Sequence, residues 1–212
     1  MIEIPKEEVG KMNRKLMVLG IAAIVSVAIA LTTVSTLSAQ KKPEIPFVGM
    51  SMTYYAVDWN GNTELRTVSV LRYDSATNCV TIRDSQDGID FLIVNVGTRE
   101  VVWHSGSFSP EPFYVEYWIP TNIGIGSHVN ILDYDAVVTG SAVLSVEGNL
   151  VNAWQLKVTY TSGDGATIYG QVSYYYEKRT GLWVGAAWVE WDEDGMPIRN
   201  WGGHLASTNV AL

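Results

Sequence analysis

From about residue 47 to the end, the chain is written in short stretches of period two. In Val151–Tyr160, the side chains of Trp154, Leu156, Val158 and Tyr160 fall on one side and Gln155, Lys157 and Thr159 on the other. That spacing fits a β-strand with one buried and one wet face. Ala136, Val138, Ala142, Leu144 and Val146 repeat it one strand earlier. Turn signals punctuate the chain at Asn60-Gly61-Asn62, Asp74–Asn78, Asp84–Gly88, Gly97, Gly148-Asn149, Ser162–Gly165, Lys178–Gly181 and Asp192–Gly195. Strands are therefore expected near 49–59, 63–73, 79–83, 89–95, 100–105, 113–118, 128–132, 135–147, 150–160, 166–177, 182–191 and 197–206. No stretch after residue 40 carries a convincing helical period. Hairpin-short connections predict a largely antiparallel sheet in meander order. The expected fold is all-β: a curved antiparallel sheet, as a half-barrel or a two-sheet sandwich.

The last hairpin breaks the one-wet-face rule. In 182–191, Leu182, Val184, Ala186 and Trp188 share one face, and Trp183, Gly185, Ala187, Val189 and Trp191 the other. The strand before it carries Tyr169, Gly170, Tyr174, Tyr175 and Tyr176 on both faces. Two apolar faces need two covers, whether a second sheet, a covering segment, a ligand or a partner. Tyr174, Tyr176, Trp183, Trp188, Trp191 and Trp201 are accordingly the candidate interface or ligand-binding residues.

Ahead of the β-domain, Leu16 to Leu37 is a run of 22 residues without a charge. As a helix it would measure about 33 Å, enough to cross a hydrocarbon core. Lys11, Arg14 and Lys15 precede it, and Lys41 and Lys42 follow, so the positive-inside bias favours a cytoplasmic N-terminus. This divides the chain into a cytoplasmic tail (1–15), a transmembrane helix (16–38), a linker (39–46) and an exported β-domain (47–212). A cleaved signal is the competing reading. The run exceeds a usual signal core, and Leu37 fits poorly at −3 of a cut after Ala39. A pilin-type cut before Leu16 lacks its glycine.

Charge and cysteine content narrow the partners. Of 212 residues, 14 are Lys or Arg and 22 are Asp or Glu. Before residue 41 the basic residues outnumber the acidic four to three; from residue 41 on they stand at ten against nineteen. A domain this acidic has no basic patch for phosphates, so no nucleic-acid partner is expected. The single cysteine, Cys79, leaves no internal disulfide and no Cys-based metal cluster.

No catalytic motif emerges. His104, His128 and His204 show no metal-ligand spacing, and Cys79 is not followed closely by a histidine as a blue-copper site would need. There is no G-x-S-x-G and no phosphate loop. Ser38–Lys41 matches S-x-x-K only in form, at the membrane edge. The acidic runs Asp192–Asp194, Asp84–Asp87 and Asp133–Asp135 read as solvated turns. Glu190 beside Trp188, Trp191 and Trp201 would suit a sugar-cleaving site only if a second carboxylate faced it across a groove. No catalytic residue, metal or cofactor is assigned.

The stretch Tyr174–Trp183, YYYEKRTGLW, and the lead-in Trp118-Ile119-Pro120-Thr121-Asn122 running to Gly124 and Gly126 resemble a hairpin and its approach in membrane-anchored archaeal surface proteins. The resemblance spans residues 113–191. It implies a curved antiparallel sheet similar to the half-barrel of periplasmic lipoprotein carriers, and no catalytic residues.

The expected role is a non-enzymatic, single-pass membrane-anchored domain outside the cytoplasm. Its partners would be the lipid bilayer and a protein, or further copies of itself, within a membrane or surface assembly. Alternatives are a carrier of an apolar ligand or lipid, a pilin-like filament subunit, and a surface hydrolase using Glu190 or His104.

Overall fold

A computed structural model describes residues 44–57, 62–85, 91–105, 112–161 and 168–212. The tail, the apolar run and the first part of the linker lie outside the described residues, as does the S-x-x-K match. Among the described residues no helix is long and apolar enough to cross a membrane.

The described domain is all-β. Eleven strands form it: β1 (Ser51–Val57), β2 (Thr63–Asp74), β3 (Cys79–Asp84), β4 (Phe91–Asn95), β5 (Val101–His104), β6 (His128–Ile131), β7 (Tyr134–Val146), β8 (Asn149–Thr161), β9 (Ile168–Glu177), β10 (Trp183–Trp191) and β11 (Pro197–Thr208). They make one sheet in the order β5-β4-β3-β2-β1-β11-β10-β9-β8-β7-β6, and each neighbouring pair is antiparallel. One continuous hydrogen-bonded sheet replaces the two separate sheets a sandwich would need. The order is the expected meander wound into a ring. Every strand neighbours its sequence neighbour, β11 returns to β1, and the ring is interrupted only between β5 and β6.

The stretch expected as a strand at 113–118 sits at that interruption. Tyr114 bridges Glu100 on the β5 side and Leu132 on the β6–β7 side. Its amide donates to the Leu132 carbonyl at 2.8 Å, and the Leu132 amide returns the bond at 2.8 Å. On the other side, the Val101 amide donates to Phe113 at 2.7 Å and the Val115 amide to Arg99 at 3.0 Å. The segment therefore stands where a twelfth strand belongs, but it forms isolated bridges instead of a ladder. Pro112 and Pro120 flank it and bring no N–H, which limits how far pairing can extend.

Beyond Tyr114 the segment enters the core. Val115, Tyr117, Trp118 and Ile119 are all buried. From Tyr117 to Ile119 consecutive residues are buried, so the alternation of 113–117 ends there, with protein on both sides of the chain. Trp118 bridges Leu182, the Ile119 amide donates to Gly181 at 2.9 Å, and the Trp183 amide donates to Tyr117 at 3.0 Å. Segment 115–119 is thus the cover over the start of β10. Around it the sheet contributes Met52, Tyr54, Val68, Ile82, Leu156, Tyr176 and Leu205. Each large apolar side chain so enclosed stabilises the fold by about 1.5–3 kcal/mol.

Candidate functional site

The six aromatic residues singled out in the sequence part company in the structure. Tyr174, Tyr176, Trp183 and Trp188 are buried, Trp191 is half-buried, and the side chain of Trp201 lies outside the described residues. A register shift between Trp183 and Gly185 lets Trp183 and Val184 both turn inward. Tyr54 stacks against Trp183 with ring centroids 4.4 Å apart, and the Trp183 indole N–H donates to the Gly185 carbonyl at 2.6 Å. The Tyr176 hydroxyl donates to the Glu116 carbonyl at 2.9 Å. Trp188 lies against Tyr160, with centroids 4.5 Å apart. These contacts place the aromatic hairpin in the domain's own core along its first half. Further on, Ala187 is exposed and Val189 and Trp191 are half-buried.

Deep in the same core lies a charged cluster that sequence reading missed. Arg66 on β2 donates through Nε to both oxygens of Asp84, at 3.0 and 3.1 Å, and through Nη2 to Oδ2 at 2.6 Å. It also donates to Glu116 Oε1 at 2.8 Å and to the Tyr117 hydroxyl at 2.8 Å. The Tyr117 hydroxyl in turn donates to Asp84 Oδ2. The Asp84 side chain is 0% exposed. Read in the sequence as part of a solvated turn, Asp84 is instead the last residue of β3, turned inward. Burial alone pulls the Arg66 pKa down, but Tyr117, Glu116 and Asp84 outweigh it and hold the guanidinium charged well above its ordinary range. Burial pushes the Tyr117 hydroxyl well up, so it stays protonated and donating. Donors and acceptors in this cluster are directed at one another, which suits a polar clamp between β2, β3 and the inserted segment. Positions 66, 84, 116 and 117 share no spacing that could have announced it.

On the outer face of β2–β5, as at several other places, apolar surface meets solvent. Cross-strand pairing sets Arg72, Thr81, Ile93 and Trp103 in one row across four strands. Leu71, Tyr73, Val102 and Trp103 are 45%, 47%, 45% and 47% exposed. Strand irregularities between Val70 and Arg72 and at Ile93/Val94 leave Leu71 and Val102 out of the pairing, whereas Tyr73 pairs with Val80 near the end of β2. A groove of about 510 Å³ runs beside the row, lined by Arg72, Asp74, Thr77, Cys79, Thr81, Ile93, Asn95 and Val102. At its rim Asp74 accepts from the Ala76 amide at 3.0 Å and the Thr77 hydroxyl at 3.1 Å. Those bonds, the amide first, lower its pKa and keep it an anion facing Arg72. The sequence signal was present, since Trp103 and Val102 are adjacent apolar residues in a short strand, but nothing marked them as outward.

The three histidines lie on different strands. His128 Nδ1 meets Asp135 at 2.7 Å, and His204 stacks on Tyr55 with centroids 5.6 Å apart. His104 pairs with Leu92 across β4–β5. Among the described residues no group of three potential metal ligands comes together. Asp192 caps its own turn, accepting from the Asp194 and Met196 amides at 3.0 and 2.7 Å.

No protein-family model matches the chain. No curated protein matches it either. Among solved structures, the chain is similar to a "putative lipoprotein" from Parabacteroides distasonis, with 10% sequence identity and a TM-score of 0.37 over 77% of this chain and 96% of the other.

Proposed function

We propose that the chain is a non-enzymatic, membrane-anchored accessory subunit whose β-domain, outside the cytoplasm, docks a protein partner on the outer face of β2–β5. The charge-free run at 16–38 supports the anchor, and its flanking lysines and arginine support the orientation. The observation that carries the docking surface is the exposed row ending at Trp103. Leu71 on β2 and Val102 and Trp103 on β5, with β3 and β4 between them, stand 45–47% exposed there, beside a groove with a cation, Arg72, and an anion, Asp74, at its margin. Aromatic anchors ringed by polar groups are the usual energetic centre of a protein interface.

The test is purification of the full-length chain from its native membrane in mild detergent. The proposal expects a stoichiometric protein partner with the wild type, loss of that partner in Trp103→Asp, and retention in Leu150→Asp. Leu150 is 75% exposed at the remote β7–β8 turn, so its variant controls for added surface charge. Loss in both variants, or in neither, would overturn the assignment of this face. A single buried tryptophan anchor is worth about 2 kcal/mol or more at an interface, which is enough to abolish co-purification.

A further inference from the structure

Arg99 occupies a different position from Arg66. It is 5% exposed and sits with positive φ (66°) just before β5. Its Nη1 donates to the carbonyls of Trp118 at 3.0 Å and Val115 at 3.4 Å, and its Nη2 donates to the carbonyl of Asn130 at 2.5 Å. Three chain segments, the β4–β5 turn, the inserted segment and β6, thereby meet on one guanidinium.

What Arg99 lacks is a counter-charge. Among the described residues, the ion pairs join Arg66 to Asp84 and Glu116, His128 to Asp135 and Arg179 to Glu177, and none includes Arg99. Its charged-state neighbours are the hydroxyls of Tyr176 and Tyr114, and desolvation lowers its pKa. Carbonyl dipoles solvate a cation but do not neutralise it, and a buried unpaired charge is costly. Three of the five guanidinium N–H groups go to carbonyls, leaving Nε–H and one Nη2–H.

Arg99 also lines a pocket of about 240 Å³. Apolar walls come from Ile45, Val96, Ile119 and Pro120, and hydroxyls from Thr121 and Thr180. The Thr180 oxygen accepts the Leu182 amide at 3.1 Å, which leaves its own O–H to donate. Glu44 stands on the lining as well.

We infer that this pocket binds a small organic monocarboxylate, whose two oxygens take the remaining Arg99 donors while its short apolar tail lies against Ile45, Val96 and Ile119. A planar guanidinium with two donors to spare matches a carboxylate in a two-pronged pair. The volume falls below that of a drug-sized site, which sets the ligand's size. One arginine balances one charge, and Glu44 on the lining disfavours dianions such as inorganic phosphate at neutral pH. The pocket lies between residues 44–45, the β4–β5 turn, segment 118–121 and Thr180, and it shares no lining residue with the groove on the outer face of β2–β5, so the inference stands without that docking surface.

The test uses the full-length chain in mild detergent, titrated with sodium butyrate at constant ionic strength and read from the Arg99 Nε–H signal by nitrogen-15 NMR. Butyramide serves as the neutral isostere and sodium chloride as the anion control. The inference expects a saturable shift with butyrate alone. Arg99→Lys should weaken binding roughly tenfold, since an ammonium cannot form the two-pronged pair; this arm is read from the Thr121 and Thr180 amides. Should that variant fail to fold, Glu44→Gln is decisive. It removes an exposed like charge, leaves the clamp intact and should tighten butyrate about twofold. The inference is overturned if butyramide shifts the signal as butyrate does, if no response saturates, or if Glu44→Gln leaves the affinity unchanged.

Discussion

Arg66 holds its charge in the core because Asp84 and Glu116 answer it, so Asp84→Asn should leave the guanidinium with Glu116 as its one carboxylate partner and remove the fully buried one. Breaking a buried pair by removing one partner costs about 3–5 kcal/mol. Urea unfolding of Asp84→Asn should register a loss in that range, whereas Glu116→Gln, whose carboxylate side chain is 12% exposed, should lose less. Equal losses would mean that the two carboxylates share the charge evenly. The tyrosines of the same core make a second prediction. Burial pushes Tyr54, Tyr117 and Tyr176 well above the ordinary tyrosine range. In the unfolded chain they ionise near pH 10. Above that pH the unfolded state sheds protons that the native state keeps, so stability falls as pH rises. Each such tyrosine contributes a slope of about 1.4 kcal/mol per pH unit. Below about pH 10 their contribution should be fully present. Unfolding followed by tyrosinate absorbance should therefore show a loss of stability that begins there, and flat stability across that region would refute it. This cluster was illegible beforehand because its members come from β2, the end of β3 and the inserted segment, and only the fold brings them together.

At the scale of the element, the segment 113–119 decides whether the ring of strands holds together, and its far end rests on Gly181. Gly181 has φ 77°, and a Cβ there would land on the carbonyl oxygen of Ile119. Gly181→Ala must therefore push the segment out of the core in addition to straining its own backbone. A stability loss of about 2 kcal/mol or more is expected. Gly126 offers the control, with φ 86° and nothing within 4 Å of an added Cβ. Gly126→Ala should cost only the left-handed backbone penalty, about 1 kcal/mol. Thermal unfolding of the two variants side by side checks the contrast, and similar losses would mean that the segment yields freely. The same element marks how far sequence reading reached. Alternation located β8, where Leu156 and Val158 are buried and Thr159 is exposed, because a half-wet strand writes its environment into its residues. In 113–118 the residues also alternate by type, yet Val115, Tyr117 and Trp118 are all buried. Periodicity records the local chain and not what surrounds it, so an inserted segment and a strand read alike.

At the scale of the molecule, ring order depends on strands at opposite ends of the domain finding each other. β1 and β11 pair from Met52–Thr208 to Ala56–Gly203, a contact that no turn chemistry enforces. Asn209 locks its end. Its Oδ1 accepts the Ser51 amide at 2.9 Å, and its Nδ2 donates to the Gly49 carbonyl at 2.8 Å. The Thr208 hydroxyl donates to the Ser51 carbonyl at 3.0 Å, and Val210 is 5% exposed beside them. Asn209→Ala removes two exposed hydrogen bonds and should cost about 1 kcal/mol. Deleting residues 209–212 also strips the burial of Val210, bringing the expected loss to about 3 kcal/mol. Because closure between distant strands forms cooperatively, the deletion should lower protection of β1 amides and β11 amides together in hydrogen exchange. Loss confined to β11 would show that β1 is held by β2 alone, and that the ring is not what secures the domain.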